Sequence, residues 1–200
     1  TQLLTSLAAL PSKQEAHQIL RGLCQTDLFF LLVYGLKASY ADNDWVFNRC
    51  REVQESPDGH LDLWAREHFK STIITYALTI QDILNDPNIT VGIFSHTRPI
   101  AKGFLRQIKR EFEANDTLKA WFPDILWQNP QKEAPKWSED DGIVVKRTSN
   151  SRESTVEAWG LVDGQPTSKH FELRLYDDIV TRESVTTPEM IKKTTSAWEL

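Results

Sequence analysis

The chain's 200 residues suit one domain, or one domain with a small appendage, and a chain of this size buries enough surface to need no staples. A hydrophobic content of 40% and a charged content of 26% are ordinary for a soluble globular protein. The formal charge of −5 argues against a free-standing nucleic-acid binder held by bulk charge and leaves room for a local basic strip.

In chain order, residues 11–23 open with Ser12 three before Glu15, a capping-box pattern that predicts a helix start. A second helical piece is expected through "TDLFFLLVYGL", with Thr26 or Asp27 as cap. Its apolar run, 28–36, is too short to span a bilayer, and no signal peptide is visible, so no membrane role is expected. Cys24 and Cys50 are too few for a disulfide framework or a four-thiolate zinc site, and a reducing, cytosolic setting is the default. Residues 38–60 read as mixed, with a turn at 56–60.

The apolar run 61–65 reads as a strand and 69–86 as a helix, with Ile73, Tyr76, Ala77 and Ile80 at helical spacing. Residues 90–95 read as a buried strand. An amphipathic helix is expected over 98–116, with Ile100, Phe104, Ile108 and Phe112 as its apolar stripe. Residues 122–142 read as a long connection, 143–147 and 154–162 as strands of antiparallel type, and 171–180 as a strand ending in two acids. A last helix is expected over 186–198, with Pro188 in its first turn. Strand, helix, strand, helix, then further strands predict an α/β fold with a mainly parallel central sheet flanked by helices. In such sheets a ligand sits at the carboxyl ends of strands, where residues 66–71 and 177–178 are expected.

The stretch "LWAREHFKST" carries a Lys-Ser pair like the end of a phosphate-binding loop, but Phe69 and Trp64 stand where that loop has glycines. A phosphate loop needs inward backbone N–H groups, a helix N-terminus, a Lys and a hydroxyl for Mg²⁺. Residues Arg66, Glu67, His68, Phe69, Lys70, Ser71 and Thr72 are the candidate nucleotide-binding set, with Lys70 on the β- and γ-phosphates. Ser71 is the candidate Mg²⁺ ligand and Thr72 its fallback. A non-glycine residue in left-handed geometry costs roughly 1–2 kcal/mol, against about 8 kcal/mol for micromolar binding. One such penalty weakens a site without abolishing it. The plain alternative is a solvated helix start. The pair Asp177-Asp178 tips the balance toward a Mg-ATP site: Asp177 would hold Mg²⁺ through water, and Asp178 would activate the attacking water. Arg66 would reach a γ-phosphate; its bland reading is an ion pair with Glu67 or a nearby acid.

Taken together, "LWAREHFKST", "TVGIFSHTRPIAKGFLRQIKREFEAND", "FPDIL", "KWSEDDGIVVKR", "STVEAWG" and "LRLYDDIVT" resemble the ATPase domain of the large terminase subunit of tailed bacteriophages and prophages. The resemblance runs from about residue 45 to 200, after an N-terminal helical segment, 1–44. It implies a P-loop NTPase fold of the class with an additional strand and a catalytic carboxylate. It implies a motor that uses ATP and Mg²⁺ to drive double-stranded DNA into a procapsid, in the cytoplasm of the bacterial host. It also implies partners: a portal protein, a small terminase subunit, a homo-oligomeric ring on the portal, and the protein's own C-terminal nuclease domain of RNase H-like fold. The chain, which begins without Met, reads as an ATPase domain without that nuclease domain, monomeric in isolation. Three departures stand out. Phe69 replaces the loop glycine, Asp178 stands where many members have Glu, and the coupling segment would follow "TTSAWEL", beyond residue 200.

Two other readings stay open: another P-loop DNA-dependent ATPase of helicase-like type, and a degenerate nucleotide-binding fold serving as a scaffold. Lys102, Arg106, Lys109 and Arg110 are candidate DNA contacts whose plainer reading is a solvated helix face. Arg98, which follows a strand end, is a candidate for phosphate sensing, Thr167, Ser168 and Lys169 for a nucleotide or DNA contact, and Trp45 or Phe47 for stacking on adenine. His17, His60, His68, His96 and His170 have no metal-ligand spacing.

Overall fold

Capping residues set the start of the first described helices. The computed structural model describes residues 12–56, 59, 61–163, 166 and 168–198. Helix α1, Lys13–Thr26, begins where the Ser12 side chain accepts from Glu15 N–H, as its sequence predicts. Asp27 ends α1 and caps α2, Leu28–Phe30, by accepting from Phe30 N–H at 2.9 Å. That turn runs on as a π-helical segment, Leu31–Gly35.

Residues 38–60 are less irregular than their sequence suggests. Asn43 accepts from Val46 N–H and starts α3, Asp44–Glu55, which buries Val46, Cys50 and Val53 at i, i+4 and i+7. The turn expected at 56–60 lies mostly outside the described residues.

The run 61–65 is not a strand. Leu61 and Leu63 are 78% and 83% exposed, so the alternation that suggests a strand has no buried face here. A helix starts at residue 70, is π-helical over Thr72–Leu78, and continues as α4, Thr79–Asn85.

Strand β1, Val91–Ser95, is fully buried and leads into α5, Arg98–Ala114. The core-facing stripe of α5 is Ala101, Leu105, Ile108 and Phe112. Ile100 is 41% exposed and Phe104 half-buried, so the stripe is turned by about one residue from the expected one. Helix α6, Asp116–Trp121, follows, and residues 122–142 hold more structure than the expected plain connection: α7, Pro130–Glu133, and β2, Trp137–Ser138. Strand β3, Gly142–Ile143, is shorter than the expected 143–147. Gly142 has φ +85°, and a Cβ there would lie 2.4 Å from the Val156 carbonyl oxygen, so only glycine fits. Strands β4, Val156–Gly160, and β5, Leu173–Tyr176, follow, and α8, Pro188–Trp198, closes the described chain.

The five strands form one mixed sheet in the order β2-β3-β4-β1-β5. Strands β4, β1 and β5 are parallel, and β2-β3-β4 are joined antiparallel. The fold is therefore α/β, with a partly parallel sheet packed against helices. Helix α5 packs on β1 and β4. One hydrophobic core takes in Cys24 to Ala41 as well as Val46 onward. Among the described residues, no helix is long and apolar enough to cross a membrane.

Candidate functional site at the carboxyl edge of the parallel strands

Three backbone positions here sit where side chains rarely do. Glu67, Phe69 and Asp178 have φ of +65°, +63° and +53°. Left-handed geometry is costly for such residues and is held only where the surroundings fix it. Phe69 thus adopts the conformation that a loop glycine would take, with no glycine present. Its ring explains how: Phe69 is half-buried and stacks on Tyr40 at 6.0 Å between centroids.

The rest of the loop is held from the same side. Trp45, in the first turn of α3, packs edge-on against His68, and Arg49 lies over both Trp45 and Trp64. His68 Nδ1 is 2.7 Å from the Arg66 carbonyl oxygen. The loop is therefore clamped by aromatic contacts from residues 40–49 instead of by backbone freedom. The sequence read alone does not pair these segments.

Lys70 leaves this loop at the start of the helix and forms an ion pair with Asp177, directly after β5. Asp177 is 3% exposed at its side chain and Lys70 28%. Thr75 Oγ1 donates to Asp177 Oδ2 at 2.7 Å, and the nearby Ser71 side chain also favours the ionised carboxylate. Burial pushes the Asp177 pKa up, but the Lys70, Ser71 and Thr75 side chains and the Lys70 charge outweigh it. The carboxyl is held below its ordinary value and stays ionised. The structure thus joins Lys70, Ser71 and Asp177, and adds Thr75. Thr75 lies one turn beyond Ser71, on the same helix face, and that spacing was the signal available for it. Thr72 is half-buried and makes no hydrogen bond to Asp177.

Asp178 and Arg66 are exposed, and neither has an ion pair among the described residues. The ion pair with Glu67, the bland reading of Arg66, is not formed among the described residues. The Asp178 carbonyl accepts from His96 N–H at 3.2 Å, which ties the end of β5 to the end of β1. At that end Ser95 Oγ and His96 Nδ1 are buried without a hydrogen-bond partner. Gly160, ending β4, leaves room for Asp163, whose carboxylate accepts from Arg98 N–H at 2.9 Å at the start of α5. The Arg98 guanidinium donates to the Asp140 and Ala158 carbonyls and lies over Trp159.

The cations of α5 are mostly spent. Lys102 pairs with Asp140, Arg106 with Glu139 and Lys109 with Glu113; Arg110 alone of the four is exposed without such a pair. Lys169 is committed to buried Glu157. Phe47 packs edge-on against Phe29, with Arg51 over its ring. Ser168 Oγ is 3.5 Å from an Arg152 nitrogen. Thr167 and His60 lie outside the described residues. Among the described residues, no group of three or more His, Cys, Asp and Glu side chains could hold a metal ion. No protein-family model and no curated protein matches this chain.

Proposed function

We propose that this chain is a P-loop domain that binds and hydrolyses Mg-ATP, of the kind that powers DNA packaging in large terminases. The observation that supports it most is the meeting of Lys70, Ser71 and Thr75 with buried Asp177 beneath a left-handed Phe69. A helix start, a Lys, a hydroxyl and a strand-end carboxylate are the parts a phosphate site needs, and they converge from residues about a hundred apart in sequence.

In this reading Lys70 exchanges Asp177 for the β- and γ-phosphates. Ser71 and Asp177 would hold Mg²⁺. Both are hard oxygen donors, and so few protein ligands suit a cation that keeps waters and takes phosphate oxygens. The unpartnered Ser95 Oγ and His96 Nδ1 beside them fit an edge built for a polar ligand. The bound metal supplies charge neutralisation on the phosphates. Asp178, exposed beside Asp177, acts as general base, and Arg66, free of ion pairs, stabilises charge on the transferred phosphoryl group. The partners of this reading are double-stranded DNA, a portal protein, a small terminase subunit and a nuclease domain, in a ring, in the host bacterial cytoplasm.

Phosphate release from Mg-ATP tests it, with Asp178→Ala beside the parent chain. Turnover that falls in Asp178→Ala while nucleotide still binds is expected. Turnover indifferent to Asp178 would overturn the base assignment. Binding without any turnover would favour a scaffold, a reading supported by the closed Lys70–Asp177 pair.

A further inference from the structure

A cavity with a largely apolar wall and several cationic side chains lies at the opposite end of the parallel strands. It has a volume of about 380 Å³, and its wall includes Trp127, Lys136, Lys146, Arg147, Ser149 and Asn150. No Asp or Glu lines it, in a chain with a formal charge of −5. The cavity follows β3, at the end where β1 and β4 begin: Val145 N–H donates to Thr155 Oγ1, and Val91 N–H to the Thr155 carbonyl. Lys70 and Asp177 sit at the other end, and five residues of strand separate the two edges by about 17 Å.

The walls are formed in advance. Asn88 Oδ1 accepts from both the N–H and hydroxyl of Thr148 and from Ser149 N–H, which pins the loop. Trp127 Nε1 donates to the Val144 carbonyl at 2.8 Å, and the Lys146 ammonium lies 5.4 Å from the Trp127 ring centre. Lys146 also donates to the Pro123 carbonyl, and Arg147 Nη2 to the Ser151 and Glu153 carbonyls. Arg147 Nη1 is buried without a partner. None of these three cations has an ion pair among the described residues, although the Asp124 carboxylate, paired with Arg21, lies near enough to Lys146 to feel its charge. The acids whose charge reaches Arg147 are Glu153 and Glu157. Glu157 is taken by Lys169, and Glu153 accepts from Ser151 and His170.

We propose that this cavity is an anion site for a small phosphate ester of mononucleotide size, separate from the Lys70–Asp177 site. The buried, unpartnered Arg147 N–H is a donor that a compact anion would satisfy, and Lys136 and Lys146 add positive charge beside it. The apolar part of the wall, Trp127, Pro135 and Val144, suits the organic portion of such a ligand. The volume falls within the range of small-molecule sites, roughly 300–1,000 Å³.

The test follows the Trp127 indole N–H resonance, assigned by Trp127→Phe, while adenosine monophosphate and then inorganic phosphate are titrated. A saturable shift with both is expected. It should persist in Lys70→Ala and weaken about tenfold or more in Lys136→Glu, a reversal at an exposed lysine that leaves the core alone. No shift at millimolar ligand, or a shift indifferent to Lys136→Glu, would overturn the proposal. A shift that vanishes in Lys70→Ala would overturn the separateness of the site. A shift with a single-stranded oligonucleotide but with neither small ligand would overturn the ligand class.

Discussion

Lys70→Ala leaves a carboxylate that is 3% exposed without its counter-charge. Removing one partner of a buried pair costs about 3–5 kcal/mol. Lys70 is 28% exposed, so water replaces part of the loss, and Thr75 still donates to Asp177. We expect a cost of about 2–3 kcal/mol, which for a domain of this size lowers Tm by roughly 5–10 °C. Asp177→Asn is milder. The amide oxygen still accepts from Thr75, and the stranded ammonium reaches solvent, so the cost is about 1–2 kcal/mol. The double variant strands no charge and should lose less than the sum, with a coupling of about 1–2 kcal/mol. Urea unfolding of all four proteins at neutral pH measures it. Single losses that add to within about 0.5 kcal/mol would refute the pair as a coupled unit. The depressed Asp177 pKa fixes the sign with pH. The contribution is complete above the ordinary Asp value of 3.8 and is lost as pH falls through the lower folded-state value.

Phe69→Gly relieves a left-handed position worth about 1–2 kcal/mol and loses a ring stack of about 0.5–1.5 kcal/mol and the burial of a half-buried ring, about 1 kcal/mol, so it should lie about 0–2 kcal/mol below the parent. Phe69→Ala loses the stack and keeps the strain; thermal unfolding should place it below Phe69→Gly, and the reverse order would contradict the loop assignment. Asp82, half-buried and without an ion pair, has its pKa pushed up to about 6 by burial, so stability falls as pH rises from about 4 to 6. Asp82→Asn should therefore be more stable at pH 7, by up to about 3 kcal/mol, and flatten that dependence; an unchanged pH profile of unfolding would count against it.

Much of the frame was legible where local chemistry decides. Ser12 and Asp27 cap helices because short polar side chains satisfy the first free N–H groups, and they do so wherever they lie. Strands 91–95, 156–160 and 173–176 fall inside the expected 90–95, 154–162 and 171–180, and the acids after the last one mark its end. Residues 61–65 misled because alternation describes a strand's faces and says nothing of a partner, and Leu61 and Leu63 found none. Helix 44–55 was hidden by its charged exposed face, although Asn43 and the spacing of Val46, Cys50 and Val53 were there to read. In the site, Lys70, Ser71 and Asp177 could be named from their types and order. The Tyr40 and Trp45 contacts that hold the loop could not, because they depend on how distant segments pack.

Calorimetric titration of Mg-ATP into this chain and into Lys70→Ala, with circular dichroism to confirm that the variant is folded, tests the proposed phosphate site most directly. The account predicts saturable binding to the parent chain that disappears in Lys70→Ala. No binding to the parent, or equal binding to both, would contradict it.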